Sequence, residues 1–247
     1  MKKILKKNKI YVGIIIILII YFVIFYLFST KEKKENNKIA SIIVDGINGW
    51  QYKEQSWNTI HDYDKVTNKK KYKVYSKEEY YGEFYIKNTD NKLYLFDDNY
   101  NSLQYTSSIL AYEANFNINV LEFYYDTLGE NDRSILNDII SSYSNYNLES
   151  QKINIDLNKD GNMDTLYILS FFDDNNQSVF SAVYRLNNGK IQEIISSDNM
   201  AITYNIEYIL DIDEDKKYEL ILSTSYHAIK NYSIYRQKSN KYIEFLN

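Results

Sequence analysis

The chain has 247 residues, with no cysteine and no proline, and its 33 acidic residues outnumber its 29 basic residues. The absence of cysteine excludes disulfides, thiol nucleophiles and thiolate metal sites. Every acidic residue follows an apolar run near the N-terminus, and the chain beyond that run contains 24 basic and 33 acidic residues, a formal charge of −9. This negative charge argues against a nucleic-acid partner.

The first element is an uncharged run of 19 residues, 10–28. A helix needs about 20 apolar residues to cross a membrane, whereas a cleavable signal peptide has an apolar region of only ~7–15 residues followed by small residues. The run therefore predicts an uncleaved transmembrane helix that acts as a signal-anchor. Five lysines lie in the segment 1–9 and four in the charged stalk 29–38, which favours a cytoplasmic N-terminus by a narrow margin.

Residues 39–150 predict a small β-rich domain with one helix. The strand-like runs are residues 39–44, 72–75, 81–87 and 92–96, with a four-residue turn at 88–91 and a further strand pair at 108–114 and 118–124. Trp50 and Trp57 are the only tryptophans. They can line a ligand groove or pack in the core, and the core is the more common place for such residues.

One amphipathic helix is expected near the end of this domain, capped by Asn131 or Asp132. Its apolar face consists of Ile135, Leu136, Ile139, Ile140 and Tyr143. Such a face normally packs on a sheet, and partner binding is the alternative.

Residues 151–247 contain two acidic loops between strand-like runs. Loop one places side-chain oxygens at positions 1, 3, 5 and 9 of a calcium-loop pattern, and loop two repeats the spacing 55 residues later. These residues are Asp156, Asn158, Asp160 and Asp164 in loop one, and Asp211, Asp213, Asp215 and Glu219 in loop two. An EF-hand is disfavoured because Tyr167 replaces glutamate at position 12 and strand-like runs replace the helices.

The repeat continues beyond the loops, since residues 183–194 align without gaps with residues 234–245. Each unit is predicted to consist of a strand, an acidic loop, two strands, a turn and a last strand, with a period of 51 to 55 residues. Repeats of this size with four strands indicate a propeller or stacked sheets. Only two units are visible, whereas a closed propeller needs ~4–8.

The repeat resembles the FG-GAP and VCBS repeats of integrin-like propellers and bacterial surface proteins, which carry a D-x-D-x-D-G-x-x-D calcium loop. The resemblance covers residues 153–247. It implies calcium ligands at Asp156, Asn158, Asp160, Asn162 and Asp164 in loop one, and at Asp211, Asp213, Asp215, Lys217 and Glu219 in loop two. Asn162 and Lys217 would bind through their backbone carbonyls. Because millimolar calcium lies outside cells, the loops also favour an extracellular body.

Loop two departs from the family pattern at its sixth position, where Lys216 replaces the glycine found as Gly161 in loop one. A positive φ at Lys216 would cost ~1–2 kcal/mol, and its ammonium group would lie beside the site. We therefore expect loop one to bind calcium more tightly than loop two. The alternative for each loop is a solvated acidic turn.

No catalytic motif is present. The chain lacks G-x-S-x-G, H-E-x-x-H and phosphate-loop motifs, and its two histidines, His61 and His227, belong to no motif. The pairs Asp97–Asp98 and Asp173–Asp174 are typical of turns. The sequence thus favours a non-enzymatic, membrane-tethered module that binds a protein or glycan at the cell surface. A structural accessory subunit of an envelope complex is the first alternative, and a hydrolase is the second.

Overall fold

The computed structural model describes residue 21 and residues 40–53, 56–63, 67, 69–77, 79–89, 92–105, 108–239 and 241–245. The chain divides into two units, and nearly all of the described residues belong to the second, Ser41–Gln51 and Trp57–Asn247. The predicted tail 1–9, transmembrane helix 10–28 and stalk 29–38 lie outside the described residues, apart from Tyr21. Among the described residues, no helix is long and apolar enough to span a membrane.

The described chain is mainly antiparallel β-sheet, which confirms the predicted class. The strands are β1 (Ala40–Val44), β2 (Asn48–Lys53), β3 (Ser56–Thr59), β4 (Lys71–Ser76), β5 (Tyr80–Thr89), β6 (Lys92–Phe96), β7 (Ser102–Leu103), β8 (Ile109–Glu113), β9 (Asn119–Leu121), β10 (Asn147–Ile155), β11 (Asp164–Phe172), β12 (Ser178–Asn187), β13 (Lys190–Ser197), β14 (Ile202–Asp211), β15 (Glu219–Tyr226), β16 (Ile229–Lys238) and β17 (Lys241–Glu244). Two short helices, α1 (Glu130–Ile135) and α2 (Asn137–Ser142), lie between β9 and β10.

The first sheet has eight strands in the order β3-β2-β1-β8-β4-β5-β6-β7. Along β4 every second residue is buried, because one face of the sheet covers a core that contains Tyr72, Val74 and Leu95. Trp50 and Trp57 are also buried, which confirms that they pack in the core and do not line a ligand groove. The predicted four-residue turn at 88–91 is wrong, because β5 continues through Thr89 and pairs there with Lys92.

The two predicted repeats form two four-stranded antiparallel meanders, as expected from the sequence. The second sheet has the order β10-β11-β12-β13, and the third has β17-β16-β15-β14 with β9 added at its edge. Strand β11 shows why its sequence is an almost unbroken apolar run. Leu166 and Ile168 pack in a core shared with the third sheet, whereas Tyr167 and Leu169 contact a second core beneath the helices.

The single predicted helix is in fact two short helices that meet at Leu136. The first one is capped by Gly129 rather than by Asn131 or Asp132, and the Asp132 carboxylate accepts the Gly129 N–H at 2.8 Å. Leu136 is fully buried against the second sheet. The other predicted contacts are weaker, because Ile139 and Ile140 are only half-buried there and Ile135 lies outside the cluster.

The pairing of β9 shows that a second prediction is wrong. The segments 108–114 and 118–124 were expected to pair, but β8 pairs with β1 and β4, whereas β9 pairs with β14. Hydrogen bonds also join the first and third sheets. The Tyr232 N–H donates to Asn48 Oδ1 at 2.9 Å, and the Tyr208 hydroxyl donates to the Ser108 carbonyl at 2.8 Å.

Candidate metal centre in the paired acidic loops

Loop one joins β10 to β11 and loop two joins β14 to β15, and both loops have positive φ angles at the same two positions. Positive φ angles occur at their fourth positions, Lys159 (53°) and Glu214 (61°), and at their sixth positions, Gly161 (85°) and Lys216 (70°). The positive φ expected at Lys216 is therefore confirmed. A non-glycine residue is strained in this region, so loop two holds its shape at a cost that loop one avoids at the sixth position.

Two hydrogen bonds are also common to both loops. In each loop the carboxylate at position 5 accepts the backbone N–H of position 7 at 2.8 Å, which pairs Asp160 with Asn162 and Asp215 with Lys217. The carboxylate at position 9 accepts the N–H of position 2, at 3.2 Å from Asp164 and at 2.9 Å from Glu219. The spacing of acidic residues thus specifies one loop geometry twice.

The two loops contact each other directly. The Tyr218 N–H of loop two donates to the Leu157 carbonyl of loop one at 2.9 Å. The Lys159 ammonium reaches across to Asp211, with 3.4 Å between Nζ and Oδ2, and lies 4.7 Å from the centre of the Tyr218 ring. Loop one therefore supplies a cation to loop two.

The carboxylates of loop one already have partners within the protein. Asp164 is fully buried, and its Oδ1 accepts hydrogen bonds from the Arg185 guanidinium at 2.8 Å and from the Asn187 amide. Asp156 accepts the N–H of Asp160 at 3.1 Å and that of Gly161 at 2.9 Å. Hydrogen bonds from the Asn162 backbone and the Asn158 side chain lower the pKa of Asp160. These contacts stabilise the ionised loop without a metal.

The carboxylates of loop two are less well compensated. Ligand oxygens of Asp211, Asp213 and Asp215 lie within 4.8 Å of one another, and within the described residues no other set of three acidic or histidine side chains converges in this way. Asp211 is buried, and its Oδ1 has no hydrogen-bond partner. Burial, together with the charges of the three aspartates, raises the pKa of Glu219 to about 8. Desolvation and the Asp215 charge raise the pKa of Asp213.

The register of the strands explains why the two loops differ. Arg185 lies opposite Leu166, two residues after Asp164, whereas the residue opposite Ile221, two residues after Glu219, is Ile234. The strand position from which Arg185 supplies a guanidinium to loop one is therefore occupied by the apolar Ile234 beside loop two. Arg236, which aligns with Arg185 in sequence, lies instead over the Phe245 ring at 4.4 Å.

The structure thus brings together the three aspartates of loop two with Glu219 close by, and it engages Asp164 of loop one in an ion pair. These contacts favour loop two as the metal site, which is the opposite of the order expected from Lys216. Sequence reasoning missed Arg185 and Lys159. A lone arginine inside the apolar strand β12 was the available signal, because a buried charge requires a partner.

The paired aspartates that were expected to form turns do so. Asp97 Oδ1 accepts the N–H groups of Asn99 and Asn101, each at 2.8 Å, and Asp173 Oδ1 accepts those of Asn175 and Gln177, each at 2.9 Å. Such contacts are typical of Asx turns.

No protein-family model, curated protein or solved structure matches the chain. The FG-GAP and VCBS resemblance therefore stays a prediction.

Proposed function

We propose that the protein is a membrane-anchored, extracellular binding module whose β-sheet body is stabilised by calcium at loop two. The buried, unpartnered Oδ1 of Asp211 carries this proposal, because it belongs to a group of three converging aspartates. Four carboxyl groups with two ammonium groups among the described residues, Lys159 beside Asp211 and Lys217 beside Asp215, keep an excess of negative charge that suits a hard divalent cation with oxygen ligands. The FG-GAP and VCBS resemblance supports calcium as that cation and a surface-binding role for the repeats.

Asp211, Asp213, Asp215 and Glu219 are the side chains that would hold the ion. Calcium would relieve the repulsion among them, and it would favour the ionised form of Glu219. The Lys159 ammonium competes for Asp211, so the site is suited to weak binding, with a Kd of about 10⁻⁴–10⁻³ M, as in extracellular modules.

The test is thermal unfolding of the full-length chain in detergent, with millimolar calcium and with chelator. Calcium that binds only the folded state increases the free energy of unfolding by RT ln(1 + [L]/Kd), which is about 1.4 kcal/mol at a calcium concentration of ten times Kd. It should therefore raise the melting temperature. Asp215→Asn should abolish this rise, because it removes one of the converging charges. Asp160→Asn is the matched control, since its carboxylate accepts the same backbone hydrogen bond in loop one. A rise that survives Asp215→Asn and disappears in Asp160→Asn would place the ion in loop one.

The location is tested separately. Protease added to intact cells should remove the body and leave the membrane segment 10–28 behind. A body that is degraded only after lysis would reverse the proposed topology, and a free body in the medium without residues 10–28 would indicate cleavage.

A further inference from the structure

The face of the first sheet opposite its core carries an aromatic cluster that takes no part in the acidic loops. Lys71, Tyr85 and Phe96 lie directly opposite one another on β4, β5 and β6, and all three are half-buried. Their neighbours Ile86 and Leu95 belong to the core on the other face. The row therefore projects away from that core and contributes little to it.

Tyr100, in the turn between β6 and β7, extends this row with an exposed ring. The side chain is 79% exposed, and its ring lies almost parallel to that of Tyr85, with 6.4 Å between centroids and 10° between planes. The backbone of Tyr100 is held at a φ of 61° by a tight turn, in which its N–H donates to the Asp97 carbonyl at 3.0 Å. A bulky residue in this strained conformation is uncommon, so the turn presents the ring at a cost to stability.

The aromatic row forms one wall of an open cleft of about 800 Å³. Its lining consists of the apolar or aromatic residues Tyr85, Ile86, Phe96 and Tyr100 and the polar residues Thr67, Lys69 and Lys87. This volume falls within the range of about 300–1,000 Å³ that is typical of small-ligand sites. An apolar wall with a few charged groups is the usual composition of such a site.

Among the described residues, the two charged side chains that line the cleft, Lys69 and Lys87, are both positive, although the body as a whole is acidic. Lys71 forms an ion pair with Asp98, with 2.7 Å between Nζ and Oδ1, and its ammonium lies 5.5 Å from the centre of the Tyr85 ring. In the described part of the chain, neither Lys69 nor Lys87 has a carboxylate within 4.0 Å. Two ammonium groups beside an apolar wall complement a ligand that has both a ring and a negative charge.

We infer that this cleft binds an acidic saccharide, with a pyranose ring stacked on Tyr100 and its carboxylate paired with Lys69 or Lys87. The C–H groups on one face of a sugar ring are weakly positive, and the face of an aromatic ring is weakly negative. The inference rests on the proposed surface-binding role and gives it a ligand class and a site.

A single-stranded nucleic acid also combines flat rings with negative charge, but it fits this surface less well. Its dense phosphates would meet a body with a formal charge of −9, whereas the described lining of the cleft offers two lysines without an ion pair, Lys69 and Lys87. Nucleic-acid grooves instead combine several bases stacked on aromatic rings with a continuous basic track. A uronic acid needs one ring and one or two cations.

The test is binding of the full-length chain in detergent to a fluorescent galacturonic acid hexamer, measured by anisotropy in calcium. Tyr100→Gly removes the stacking ring and relieves the positive φ, so binding should weaken roughly tenfold while the melting temperature stays the same or rises. Tyr124→Ala is the matched control, because Tyr124 is 82% exposed, lies outside the cleft and should not affect binding. Lys69→Gln with Lys87→Gln should weaken binding and reduce its salt dependence.

Three further probes separate the contributions of ring and charge. A neutral glucose hexamer and polyglutamate should each bind at least tenfold more weakly than the galacturonic acid hexamer, and so should a ten-nucleotide oligothymidine. Equal or tighter binding of any of these, or unchanged binding in Tyr100→Gly, overturns the inference. Loss of the calcium-dependent melting shift refutes the proposed function, whereas a normal shift without saccharide binding refutes only this inference.

Discussion

Arg185→Ile should lower the free energy of unfolding in chelator by about 3–5 kcal/mol, the usual cost of removing one partner from a buried ion pair. Arg185 and Asp164 are 2% and 0% exposed, and the 2.8 Å contact between them joins β12 to the start of β11. The change gives loop one the apolar neighbour that Ile234 provides near loop two. Calcium should then recover part of the lost stability, because an ion can replace the guanidinium beside Asp164.

Arg236→Ile is the matched control, since Arg236 aligns with Arg185 in sequence but lies over Phe245 and has no carboxylate partner among the described residues. Its removal should cost less than about 1 kcal/mol. Urea unfolding with and without calcium measures both variants. Adding Asp164→Asn to Arg185→Ile should restore stability in chelator, because the buried charge is then gone. Equal losses in the two arginine variants would show that Asp164 does not depend on Arg185.

The strands could be predicted because their periodicity and turn residues are local signals. The ungapped match of residues 183–194 with 234–245 identified both final hairpins. Pairing between distant strands has no such signal. Strand β9 is three residues long, and its place beside β14 depends on which sheet edge remains available after the meanders form.

The candidate site was predictable only in part, for the same reason. The acidic spacing specifies the shape of each loop, including the positive φ at Lys216. Whether the carboxylates of a loop are neutralised depends on the side chain that lies opposite the second residue after the last loop position. This side chain is Arg185 in one repeat and Ile234 in the other. The connection between β11 and β12 is longer than that between β15 and β16, and it displaces this register from the sequence alignment. The sequence alone shows which loop has a glycine at its sixth position, but it does not show which side chain on a neighbouring strand lies next to the loop.

In chelator, the stability of the protein should fall as the pH rises from about 5 to about 8, and Glu219→Gln should remove most of this dependence. The folded pKa of Glu219 is about 8 and the ordinary value is 4.5, so between these values the folded state binds a proton that the unfolded state has released. The unfolded state therefore gains relative stability with increasing pH. The contribution of protonated Glu219 to the stability of the folded state is complete below pH 4.5 and is lost above pH 8.

Calcium should weaken or reverse this trend, because it binds the ionised carboxylates and replaces the proton on Glu219. Glu219→Gln keeps an oxygen for the Ile212 N–H, so the variant should be more stable than the wild type in chelator at pH 8 and should gain less from calcium.

Glu149→Gln, at an exposed position on β10, is the control for the lost charge and should leave the pH profile unchanged. Urea unfolding at pH 5, 6.5 and 8, with calcium and with chelator, gives the comparison. A wild-type profile in chelator that rises with pH, or one that Glu219→Gln leaves intact, would mean that this carboxyl group is ionised and compensated in the folded protein.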